Sequence, residues 1–573
     1  MSRVWGGVFS APFAAGAAAA LALGSLVTGG YVFYVHGLLV AAVGEPLLVL
    51  GLRVALAGLG VALLLASLSR RRGLASLPGW GRLGPGAAGV LAGFASAALL
   101  LVGIYGAAST PVLAAYWAVA GVPLAAGLGR RRGLYVLAAA LLLSSSLAVA
   151  LLYSPVAAAG HVEAVRLGAP IQVSGLYRFV PLMTAYVYAS DRIQVATHRI
   201  YPGDSYVYYQ GNHSVYNWLI EPEGLWNRLT KTPIGAVFVY GDAYPPRVVV
   251  LERRLRWGLR NARLGPLYVD TLERRVILAS GLRYEPVMED NMEVVRGGRL
   301  YVVIPLLSWR RGLLYSLPVL HGYAVVGEDG SIRVVEGPGL LGDPVLQGLP
   351  LLPERAARSW AEAYRYHVGL VDYYLYHNTY VIRDVGTNPQ PYLERGPGGR
   401  LYWVFVAEPP GETHSAKYIL YVDAGAGEPR LLVYELPRPA IGVSMAASYV
   451  KQAHPTYDWS QLALEEPIPT LLRGRLYWKI TVTTRDHRGL VSVDLLDAST
   501  GEVSSFQPRP ALSSLDVLKA LLRGGGAPGR PSPLEEVRRM RKEIAEIERR
   551  LHQLDEQLRR LEEALAANTT SRR

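Results

Sequence analysis

The chain has 573 residues, 51% of them hydrophobic, a formal charge of +13 and no cysteine. That length suits several folding units, and the missing cysteine excludes disulfides and thiol chemistry, so the fold rests on burial alone. The positive balance does not point to nucleic acid, because much of it sits beside apolar segments at Arg70–Arg72 and Arg130–Arg132, and an Arg-rich, Cys-free composition fits a thermophile.

Residues 1–155 read as a transmembrane domain. Five apolar segments, 9–35, 46–68, 84–105, 111–128 and 134–153, approach the roughly 20 residues a helix needs to cross a bilayer. Arginine clusters follow the second and fourth. The preference of positive charge for the cytoplasmic side then places the N-terminus inside and everything from about 156 onward outside. The expected localisation is a multi-pass protein of the cell membrane with the lipid bilayer as partner. Glu45 and Arg53 are the candidate membrane polar site. Eight residues apart, they lie about 80° from each other around one helix. Their plainer reading is an interface residue and a snorkelling arginine.

After residue 155 strand signals dominate: alternation, β-branched and aromatic residues, and turns rich in Gly, Asp and Pro. Residues 156–345 read as a β-rich extracytoplasmic domain, and 346–510 as a helix plus two α+β modules. Helical spacing appears over Pro353–His377, Pro181–Arg192 and Val443–Gln452. One pattern recurs. Gly399-Arg400-Leu401-Tyr402-Trp403-Val404 and Gly474-Arg475-Leu476-Tyr477-Trp478-Lys479 each open a strand. Each is followed by a strand ending in an Asp-Ala turn, at Asp423 and at Asp497 with Gly501. Looser copies begin near Tyr216 and Gly298, giving up to four hairpin modules.

The Gly-Arg-Leu-Tyr-Trp strand, followed by a strand ending in Asp-Ala-Ser-Thr-Gly-Glu-Val, resembles the PepSY-type domain. The resemblance is best over about 440–505 and fair over 385–435. It implies a helix against a small antiparallel sheet, and a binding, inhibitory or regulatory module. Tyr402, Trp403, Tyr477 and Trp478 would then be sheet-core residues, and Asp423, Asp497 and Gly501 turn residues.

No catalytic, cofactor or metal motif is present, so no site of these kinds is assigned and the expectation leans away from enzyme activity. His367 and His377 lie out of register on the expected helix, and Asp486-His487 falls in a hairpin loop. Residues 511–533 hold a short amphipathic helix from Leu512 to Leu522 and a Gly/Pro linker. Residues 534–566 then carry heptads. Val537, Ile544, Leu551, Leu558 and Leu565 occupy a, and Met540, Ile547, Leu554 and Leu561 occupy d. This spacing predicts a coiled coil, and hence a homo-oligomer or a coiled-coil partner protein.

The expected fold class is multidomain: an all-α transmembrane helix bundle, an α+β extracytoplasmic region of repeated antiparallel hairpins, and a C-terminal coiled coil. The expected function is a membrane-anchored cell-surface scaffold or interaction protein. Two alternatives stand beside it: a transporter or channel subunit using Glu45 and Arg53, and a membrane-tethered enzyme or protease-inhibitor-like regulator.

Overall fold

The computed structural model describes residues 152–507, apart from 212, 258–270, 283, 385–387, 412–413 and 426–428, together with 512–513 and a few isolated positions. After a short strand β1 (Ala164–Arg166) and helix α1 (Leu182–Asp191), the chain builds four antiparallel sheets in succession.

The first sheet is formed by β2 (Tyr206–Gln210), β3 (His213–Leu219), β4 (Gly235–Tyr240) and β5 (Arg247–Glu252), in that order. Helix α2 (Leu272–Ala279) follows, its first turn closed by the Thr271 hydroxyl, which accepts from the Arg274 amide at 3.1 Å. The second sheet has β6 (Glu285–Pro286), β7 (Met292–Arg296), β8 (Arg299–Arg311), β9 (Ser316–Gly327) and β10 (Ile332–Glu336). Helix α3 (Glu354–Tyr364) packs on it through Ala356, Ala357, Trp360 and Ala361. These recur every three or four residues, so one stripe faces the sheet. Within that stripe the Trp360 indole donates to the Pro318 carbonyl at 2.6 Å.

The third sheet takes β11 (Val381–Ile382), β12 (Tyr392–Arg395), β13 (Leu401–Glu408), β14 (Ser415–Asp423) and β15 (Leu431–Ile441). Strand β1 joins it from far upstream, pairing in parallel with β15 from Ala164 opposite Leu431. Helix α4 (Val443–Ala453) leads into the fourth sheet, β16 (Leu462–Leu472), β17 (Arg475–Thr484), β18 (Leu490–Asp497) and β19 (Val503–Phe506).

Three apolar clusters bind the sheets together. The largest joins sheets one, two and three with α3. A second lies between sheets three and four with α4, and a third joins α1, sheet one and sheet four. Strands of sheets three and four are buried on both faces: Trp403 through Ala407 and Trp478 through Val482 are all inaccessible. A strand covered on both sides reads as a continuous apolar run, and a polar residue inside it is costly.

This architecture corrects several expectations. The described chain is an α+β assembly of open sheets in place of a helix bundle, separate modules and a coiled coil. Among the described residues no helix is long and apolar enough to cross a membrane. Helices α3 and α4 have eleven residues each, about half of what a span requires. The membrane-anchored scaffold, the bilayer partner and the multi-pass localisation are therefore withdrawn, as are the membrane-based alternatives. Glu45, Arg53 and almost all of the five apolar segments lie outside the described residues, which take in the end of the fifth segment and a few isolated positions. So do the heptad positions Val537 to Leu565, and no coiled coil occurs among the described residues. The oligomer and the coiled-coil partner lose their support with it. Leu512, expected to open a helix, lies in a two-residue strand paired with Tyr244, where backbone pairing to an exposed edge outweighs the local leucine spacing.

Candidate functional site

The repeated-motif residues occupy equivalent places. Tyr402 faces Asp423 across β13 and β14, and Tyr477 faces Asp497 across β17 and β18. The Trp403 indole donates to the Leu352 carbonyl at 2.8 Å, and that of Trp478 to the Ile441 carbonyl at 2.7 Å. The Asp423 carboxylate accepts from the Gly425 amide, and Asp497 from the Ser499 and Thr500 amides. Gly501 closes the second turn at φ +80°, where a side chain would meet the Tyr449 ring. All of these contacts hold sheets and turns, and of these residues only Trp403 also lines one of the cavities described.

Convergence occurs elsewhere, where sheets one, three and four meet. Arg178 follows a short turn, Gly175–Tyr177, and is 3% exposed. Its guanidinium lies 5.7 Å from the Tyr216 ring centre and 5.6 Å from that of Tyr392. One terminal nitrogen is 3.3 Å from Glu466 Oε1. The same Glu466 oxygen accepts from the Leu182 amide at 2.9 Å and from Asn388 Nδ2 at 2.8 Å. Leu182 opens α1, whose N-cap, Pro181, offers no side-chain acceptor. Glu466 thus supplies both a partner and a negative charge to the helix start.

Glu466 sits in the bulge of β16, between Glu465 and Ile468, at φ +44°. A non-glycine residue there carries about 1–3 kcal/mol of backbone strain, which three hydrogen bonds to one oxygen offset. Below it, the Lys479 ammonium is fully buried and donates to the Arg178 carbonyl at 2.5 Å. Glu394 on β12 is also fully buried, and neither carboxylate oxygen has a hydrogen-bond partner. Burial pushes the Glu394 carboxyl up to about 8, against the opposing pull of Arg178 and Lys479. Burial also pulls Lys479 down to about 8, with Glu466 acting against the shift. Burial thus drives both Glu394 and Lys479 toward their neutral forms beside the Arg178 guanidinium.

Above Arg178 lies a cavity of about 50 Å³, lined among others by Tyr206, Tyr216, Glu354, Asn388 and Trp403. Tyr206 and Trp403 meet edge to face at 6.2 Å. Arg178 Nε is buried without a hydrogen-bond partner, and the buried Tyr206 hydroxyl, approached by the Glu354 backbone amide, has no acceptor for its own proton. The other tyrosines of the cluster are satisfied: Tyr209 donates to the Leu393 carbonyl, Tyr216 to Val180 and Tyr392 to Asn388. Glu354, half-buried at the first turn of α3, is raised by burial and by Asp290.

Two other polar clusters lack the geometry for catalysis. His454 contacts Asp494 at 3.1 Å and Ser505 at 3.2 Å through the same nitrogen, Nε2, so the carboxylate does not orient the ring toward the hydroxyl. Glu408 is bound by Ser444 at 3.0 Å and by Arg383 at 2.9 Å, at the start of α4. A side chain at Gly442 would lie 2.2 Å from its carboxylate, so the backbone is shaped around a cap. Among the described residues no group of three His, Asp or Glu side chains is placed to hold a metal. His367 stacks on Tyr364, and among the hydrogen bonds described the His377 ring nitrogens meet only carbonyl acceptors, those of Pro410 at 3.0 Å and Tyr374 at 3.2 Å.

No family model matches the chain, and neither a curated protein nor a solved structure does. The PepSY-type resemblance is therefore withdrawn. Its 385–435 copy is part of a six-stranded sheet that also takes β1, so it is not a free-standing helix-and-sheet module.

The Arg178 cluster escaped sequence reasoning because its members are far apart: Arg178 and Glu466 are separated by 288 residues. One signal was available. The two motif copies are identical from Gly to Trp, but the next residue is Val404 in one and Lys479 in the other. A lysine where a repeated buried strand has valine marks a polar demand from outside the strand.

Proposed function

We propose that this chain is a small-molecule-binding protein whose ligand site is the cavity over Arg178. The observation that supports this reading is a pair of buried donors without acceptors, Arg178 Nε and the Tyr206 hydroxyl, on two residues that line one cavity. Buried donors without acceptors cost about 1–3 kcal/mol each. A ligand acceptor recovers that cost, which is the ordinary arrangement of a polar binding pocket. The strained Glu466 and the aromatic walls hold the guanidinium in place before any ligand arrives, and such pre-organisation lowers the cost of binding.

The test is thermal unfolding of the chain with a panel of millimolar carboxylic acids, inorganic phosphate, polyols and small amines. At least one class raises the melting temperature of the wild type and fails to raise that of Arg178→Met. Tyr206→Phe removes a single oxygen and keeps the ring packing, so it serves if the arginine variant does not fold. A panel that moves the wild type nowhere overturns the reading.

A further inference from the structure

Resting on that reading, we infer that the cavity recognises a small monocarboxylate, with the ligand's carboxylate held by Arg178 Nε and the Tyr206 hydroxyl and its short tail against Trp403 and Leu182.

The argument starts from the donors. Arg178 Nε–H and Tyr206 O–H both donate, both are buried, and both belong to residues lining the same space. A carboxylate has two oxygens, each able to accept. The guanidinium is planar, always charged and suited to a planar acceptor. It is also fixed: Tyr216 and Tyr392 flank it, and Glu466 holds its far edge.

Charge then sets the number of negative charges. Arg178 is shared with Glu466, and the nearby ammonium, Lys479, is turned to the Arg178 carbonyl. No second cation among the lining residues faces the cavity. A monoanion is balanced there, while a phosphate dianion would bury one uncompensated charge. A cation would sit against Arg178 itself. Size agrees. About 50 Å³ of cavity exceeds the space for a single water and suits a head group with a tail of one or two carbons.

Glu354 lends this site a pH signature. Glu354 lines the same cavity, and its carboxyl is held above the usual carboxylate range by burial first and by Asp290 second. Arg178 across the cavity and Arg358 on α3 pull it down, and Asp384 pushes it up. While protonated it faces the anion as a neutral donor; once ionised it repels it. Carboxylate affinity therefore falls as pH rises through the titration of Glu354.

The experiment is isothermal titration of the full chain with acetate, propionate, inorganic phosphate and methylammonium, each at pH 6 and pH 9. Acetate or propionate is expected to bind one site, more weakly at pH 9. Tyr206→Phe is expected to weaken binding about tenfold, the loss of one charge-assisted hydrogen bond. Glu354→Gln is expected to keep binding and to reduce its pH dependence, the remainder coming from Glu394 and Lys479 in the cluster around Arg178. Binding of phosphate or methylammonium in preference to both carboxylates overturns the inference and leaves the binding reading standing. Carboxylate binding that Tyr206→Phe leaves unchanged places the ligand elsewhere and also overturns it. Silence from all four probes, with a stabilising polyol from the thermal panel, overturns the inference alone.

Discussion

At the scale of single residues, Glu394 and Lys479 are the most consequential choices, because each places an ionisable group where water does not reach. The folded chain holds the Glu394 proton more tightly than the unfolded chain, whose carboxyl titrates near 4.5. Its contribution is thus most favourable in acid and is lost as pH rises from about 4.5 through 8. Lys479 behaves oppositely: folding weakens its hold on a proton, a cost below about 8 that is relieved as pH rises toward 10.5. Between pH 5 and pH 8 only the carboxyl is changing. Glu394→Gln keeps the shape and removes the titration, so denaturant midpoints of the variant should decline less over that window than those of the wild type. Parallel midpoints for the two proteins would mean that Glu394 is already ionised at pH 5. Asp290, Glu354 and Asp494, also raised by burial, leave a residual slope in both.

At the scale of elements, the second repeated hairpin turns on Gly residues in the left-handed region, and its two turns are not equally tolerant. Gly474, between β16 and β17, has φ +78° with open space around its missing side chain. Gly501, between β18 and β19, has φ +80° and lies 2.7 Å, measured from an added Cβ, from the Tyr449 ring. Alanine at either position carries about 1–2 kcal/mol of backbone cost. Gly501→Ala adds the displacement of Tyr449 from α4, so chemical denaturation should show it as the more damaging of the two. Equal losses would show that α4 yields freely. The hairpins were legible in the sequence for the same local reason that these turns matter. The Tyr-Trp strand, the Asp turn and the glycine lie within about 25 residues of one another, and their periodicity carries the pairing. The helical stripe through Ala356 and Trp360 was legible likewise, although the spacing runs on to His377 while α3 ends at Tyr364. There Tyr366 and His367 fold back on Ala363 and Tyr364, and a separate π-helical turn, Asp372–Tyr376, follows. The Arg178 site was not legible, because nothing local distinguishes Arg178 from a surface arginine until Glu466, Tyr216 and Tyr392 arrive around it.

At the scale of the whole molecule, the three apolar clusters share their sheets, and no sheet has a core to itself. Sheet three contributes to two clusters and sheet one to two. Removing any sheet strips apolar surface from its neighbours. The described residues should therefore unfold as one unit, with far-ultraviolet dichroism and tryptophan fluorescence tracing a single coincident transition. Two separated transitions would show that one of the sheets stands alone. The clusters also account for the position of the polar cavity. Apolar layers cover sheet faces well and meet poorly at corners, and the Arg178 cluster fills the corner shared by sheets one, three and four.

The contact between Lys479 and the Arg178 carbonyl spans 301 residues of chain. During synthesis at about 5–20 residues per second, Arg178 leaves the ribosome roughly 15–60 seconds before its lysine does. For that interval the arginine, Tyr216 and the first sheet lack the fourth sheet that packs on them. A ribosome-bound chain stalled before residue 466 holds Arg178 without the carboxylate that anchors it, so chaperone occupancy on nascent chains should persist until the fourth sheet emerges.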